Sequence, residues 1–150
     1  MDFFADNIEI SIVNVETARP IPNIAIYVRL FAKHKNDYFM TYISNESGKI
    51  IINKSELLSE IVKYKDMFPM DYSSDLEDCT SNIEIVLMQK SDITNKIKTM
   101  REWKDLLNIQ NDEIAKLENV KNELYFPISK IIELGGRKSI RTTLEIKTQK

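Results

Sequence analysis

The period of the apolar residues changes near residue 90, and this constrains the fold more than any other feature of the chain. From Asn7 to Met88 apolar residues mostly alternate with polar ones, the signature of half-buried strands. From Asp92 to about Leu124 they recur every three to four residues, as they do along one face of a helix. The chain therefore reads as a strand-rich head, a helical arm and a basic tail.

Within the head, Ile8, Ile10 and Ile12 stand at period two in a strand from Asn7 to Val15. Thr17 to Asn23 contains Pro20 and Pro22 and breaks it, because proline lacks a donor and pushes its predecessor toward extended geometry. Alternation resumes from Asn23 to Phe31, with Ile24, Ile26, Val28 and Leu30 on one face. Tyr38 to Ser44 is a third strand, rich in aromatic and β-branched residues. Asn45-Glu46-Ser47-Gly48 is a turn in which Gly48 supplies a positive φ, followed by a short strand at Lys49 to Ile52. Asn53 and Glu56 have capping-box spacing and open a short helix from Lys54 to Met67, which Phe68-Pro69 ends. Met70 to Thr80 is a polar, acidic loop or edge strand, and Asn82 to Met88 is the last strand of the head.

Ser91 or Asp92 caps the arm. Its stripe is Ile93, Ile97, Met100, Trp103, Leu107, Ile114, Leu117 and Leu124, weakest at Asn108 to Asp112. The arm is one helix or two antiparallel helices that turn at that weak point. Unbroken, it would span roughly 50 Å. Beyond Tyr125-Phe126-Pro127, the segment Ile131 to Lys147 with Gly135-Gly136 at its centre reads as a β-hairpin or a tail. The expected divisions are residues 1–90, 91–125 and 126–150.

Charge follows the same divisions. Residues 1–91 carry 9 basic and 14 acidic side chains, residues 92–125 carry 6 and 7, and residues 126–150 carry 6 and 2. An acidic head thus precedes a basic tail. A lone cysteine, Cys79, excludes an internal disulfide. The N-terminal residues do not have the pattern of a signal peptide, and no apolar run is long enough to span a bilayer, so a soluble cytoplasmic protein is expected.

The stretch from Val13 to Val28, Val-Asn-Val-Glu-Thr-Ala-Arg-Pro-Ile-Pro-Asn-Ile-Ala-Ile-Tyr-Val, resembles the first strand, proline loop and second strand of transthyretin-like and carboxypeptidase-regulatory-like domains. Ile43 to Ile50 is similar to their polar turn with glycine. The resemblance covers about residues 7–88 and implies a small antiparallel β-sandwich with one short helix. One enzyme type in that group hydrolyses 5-hydroxyisourate with histidines, an arginine and a Tyr-Arg-Gly-Ser ending. Here the only histidine is His34 and the sequence ends Lys147-Thr148-Gln149-Lys150, so that activity is not carried over. Most relatives of this shape are binding, spacer or assembly modules.

Catalytic groups are sparse. His34 lies between two lysines in a polar hairpin tip, with no residue placed to orient it as a base. Cys79 follows Glu77-Asp78, and neighbouring carboxylates suppress thiolate formation. Asp71, Asp75, Glu77 and Asp78 form an acidic cluster without the Asp-x-Asp-x-Asp-Gly pattern of a calcium loop. Gly135-Gly136-Arg137-Lys138-Ser139 lacks the spacing of a phosphate loop. The basic tail has no interleaved aromatics, which argues against nucleic acid; it suits docking on the acidic head or on an acidic partner.

The expectation is an α+β chain with no catalytic, metal or cofactor site. It is expected to act as a protein-interaction or assembly module, engaging a protein partner or a second copy through its C-terminal part. Met100, Trp103 and Leu107 are the expected apolar anchors on the arm, at i, i+3 and i+7. Arg137, Lys138 and Arg141 are the expected basic contacts of the tail. A small-molecule hydrolase on a transthyretin-like shell and a nucleic-acid accessory protein are the alternatives.

Overall fold

The computed structural model describes residues 5–32, 38–57, 59, 79–135 and 138–149. Period-two alternation becomes five strands: β1 (Asn7–Asn14), β2 (Ala25–Ala32), β3 (Tyr38–Ile43), β4 (Lys49–Asn53) and β5 (Cys79–Leu87). Two helices follow, α1 (Lys90–Glu102) and α2 (Asn111–Glu118), then a single 3₁₀ turn at Asn122–Leu124. Two further strands close the chain, β6 (Ser129–Glu133) and β7 (Ser139–Ile146).

The strands form two sheets. The first has the order β4-β1-β7 and the second β3-β2-β5-β6. Every ladder is antiparallel except β1 with β7, which run parallel from Asn7 opposite Ser139 to Asn14 opposite Ile146. One apolar cluster draws on both sheets. Ile8, Ile10 and Ile12 of β1 lie in it with Ile50 and Ile52 of β4 and Ile140, Leu144 and Ile146 of β7. The second sheet adds Ile26, Val28 and Leu30, Tyr38 and Met40, and Ile83, Ile85 and Leu87. Burying each such side chain contributes about 1.5–3 kcal/mol.

Local chemistry fixes the connections. Ser44 is buried between β3 and the proline loop, where its hydroxyl accepts from the Ile24 N–H and donates to the Ile21 carbonyl. Gly48 has φ +71°, and a Cβ there would lie 2.7 Å from Pro20 Cβ, so the glycine turn packs directly on the proline loop. Asn53 Oδ1 accepts from the Glu56 N–H at 2.9 Å and starts the expected short helix at residues 54–57. Beyond residue 57 only Ser59 of that helix is described, its hydroxyl donating to the Ser55 carbonyl at 3.1 Å; the acidic cluster and His34 lie outside the described residues.

Of the two readings of the arm, the structure has two helices: α1 stops at its C-cap Trp103, and the turn that follows closes at Asn108, whose left-handed conformation (φ 53°) asparagine tolerates. Two expectations are corrected. The cap of α1 is Gln89, not Ser91 or Asp92; Asp92 instead accepts from the Gln89 N–H at 2.9 Å. The tail is not a hairpin. β6 pairs with β5 and β7 with β1, so the Gly135 turn carries the chain from one sheet to the other. Lys130 of β6 donates across that gap to the Thr143 carbonyl of β7 at 3.1 Å.

Candidate functional site

The second sheet buries apolar side chains on both faces. Alternation puts Ile26, Val28 and Leu30 into the shared core and Ala25, Tyr27 and Arg29 on the outer face. The helices cover one end of that outer face. Ala25, Tyr27, Ile43 and Met88 pack there against Ile93, Ile97 and Met100 of α1, Leu117 of α2 and Val120. Arg101 and Glu118 join the two helices with a 2.9 Å ion pair.

Asn122 fastens this helical arm to the sheet. Its side-chain oxygen accepts from the Ala25 N–H at 2.8 Å. Its amide donates to the Ala25 carbonyl at 2.6 Å and to the Met88 carbonyl at 2.9 Å. The side chain is 4% exposed. Nothing in its sequence context marks it, because one polar residue near a helix end is ordinary.

Between the arm and β3 lies a cleft of about 600 Å³. Met100, Trp103 and Leu107 line it from the arm, Phe39 and Ile43 from β3. Lys96, Lys116, Glu56 and Glu113 also reach it. Met100 belongs to α1, Trp103 is its C-cap, and Leu107 sits in the following turn, where its N–H donates to the Trp103 carbonyl at 2.9 Å. The three expected anchors therefore converge, but on a helix end and its turn and not along one helix.

A shallower hollow of about 280 Å³ adjoins the cleft and shares Phe39, Thr41, Lys96 and Thr99 with it. Tyr27 lines this hollow and meets Phe39 edge to face, with ring centres 5.6 Å apart. Burial pushes the Tyr27 phenol above its ordinary value, and the Asp92 and Glu84 carboxylates push it the same way against the Arg29 charge. Arg29 lies over the Phe31 ring at 4.6 Å and pairs with Glu84 at 3.5 Å.

The basic residues are elsewhere. Arg141 projects on the outer face of the first sheet, 3.5 Å from Glu9, whose carboxylate also meets Lys49 at 3.6 Å. Lys138 opens onto solvent just before β7, and its carbonyl accepts from the Asp6 and Asn7 N–H groups. Arg137 lies outside the described residues, as does the side chain of Cys79. The expected partner-binding residues thus lie apart: the apolar anchors flank the second sheet, and Arg141 lies on the first.

Among the described residues, no three of His, Cys, Asp and Glu stand close enough to hold a metal, and no helix is long and apolar enough to cross a membrane. No protein-family model and no curated protein matches the chain. Among solved structures, it is similar to an intradiol ring-cleavage dioxygenase from Tetranychus urticae, with a TM-score of 0.40 and 12% identity over 94% of this chain and 79% of that one. It is also similar to a 9R-lipoxygenase from Cyanothece PCC8801, with a TM-score of 0.36 and 11% identity over 94% of this chain. The chain spans 16% of that lipoxygenase's length. Likeness at these scores assigns neither a fold family nor an activity.

Proposed function

We propose that this chain is a non-enzymatic protein-interaction or assembly module whose helical arm receives a protein partner. The observation that carries the reading is the convergence of Met100, Trp103 and Leu107 with Phe39 and Ile43 around one cleft. Apolar walls with a charged rim suit an apolar side chain or short segment of another protein, and tryptophan is enriched where such contacts carry most of the binding energy. Lys138 and Arg141 fall outside the cleft in this reading. The scaffold beneath is read as a β-sandwich of the transthyretin-like kind, supported by the single core drawn from both sheets.

The test compares the full chain with Trp103→Ala and Leu107→Ala. Each is used to recover a complex from native lysate and is then titrated with the purified protein so identified. Each substitution is expected to weaken binding by about tenfold or more while the far-ultraviolet circular dichroism stays that of the folded chain. Undiminished affinity in both variants overturns the reading.

The cleft's volume favours a second reading, a small-molecule site, since such pockets run from roughly 300 to 1,000 Å³. A hydrolytic form of it would need His34, Cys79 or an acidic pair in the cleft; the side chains of His34 and Cys79 lie outside the described residues, and Glu56 and Glu113 both line the cleft. Native mass spectrometry of the protein purified from its own cells separates the two readings. A retained small molecule of constant mass supports the second, and bare chain mass counts against it.

A further inference from the structure

We draw no further inference here: the strongest candidate, the row of Phe39, Arg29, Glu84 and Ile131 that crosses the outer face of the second sheet beside the helical arm, is an exposed sheet face, and nothing in the structure shows what covers it.

Discussion

Asn122 sits in an apolar layer and meets three backbone groups, the N–H and carbonyl of Ala25 and the carbonyl of Met88. Alanine there would strand the Ala25 N–H and the Met88 carbonyl away from water, while the Ala25 carbonyl would keep the Met88 N–H at 3.1 Å, and each unmet buried group costs about 1–3 kcal/mol. Asn122→Ala is expected to lower the unfolding free energy by about 2–4 kcal/mol in urea titration. A loss below about 0.5 kcal/mol would show that the groups find other partners. Gly48 is constrained twice, by its left-handed backbone and by Pro20 and Ile21 at 2.7 Å from a would-be Cβ. Gly48→Ala should therefore destabilise by at least about 1–3 kcal/mol, measured the same way. Tyr27 gives a pH-dependent prediction. Its pKa is raised in the folded chain, first by burial and then by Asp92 and Glu84. The folded state therefore holds the proton more tightly than the unfolded state does. The associated stability is full below the ordinary tyrosine value of about 10 and is lost as pH rises through the folded value. Between about pH 9 and pH 11 the wild type should lose more stability than Tyr27→Phe. Equal losses would mean that Tyr27 titrates as it does in the unfolded chain.

At the scale of elements, β7 is part of the first sheet and not an appendage. It runs parallel to β1 along its whole length and buries Ile140, Leu144 and Ile146. Those three side chains are worth about 1.5–3 kcal/mol each, against a total stability of about 5–15 kcal/mol for an ordinary domain. Chains ending at residue 90 or at residue 135 are expected to show no cooperative urea transition. A sharp transition in either would show that the head folds without its C-terminal strand.

The strands of the head were legible because alternation is local, and β1 and β2 carry it plainly. The partner of β7 was not, because period two records which face is buried but not which strand lies alongside. Gly135-Gly136 favoured a hairpin, whereas the ladder that formed joins residues at opposite ends of the chain. The break in the arm was signalled by the weak stripe at Asn108 to Asp112. Helical spacing suggested Met100, Trp103 and Leu107 as one row, but they meet at the cleft through a helix end and the turn beyond it, which spacing does not encode. The other wall of the cleft was not legible either, since Phe39 reads like any alternating strand residue. Asn122 was invisible because its value depends entirely on where the backbone of Ala25 and Met88 comes to lie.

The described residues of the molecule form a first sheet, a second sheet, a helical arm and the start of a short helix after β4, with apolar layers on both faces of the second sheet. The acidic and basic ends of the chain meet within the first sheet, where Glu9 of β1 lies between Arg141 of β7 and Lys49 of β4. Such exposed pairs contribute at most about 1 kcal/mol, so they leave the fold to the apolar layers. The arm covers only part of the second sheet, and Phe39 at the margin of the cleft remains 46% exposed. The proposed partner seat is at this margin, on a different sheet from Arg141. The most direct test places a photo-crosslinking amino acid at position 107 in one protein and at position 141 in another, each irradiated in its native cells. The account predicts a covalent adduct with one defined protein, or with a second copy of the chain, from position 107 and none from position 141. Adducts from position 141 alone, or none from position 107, would contradict it.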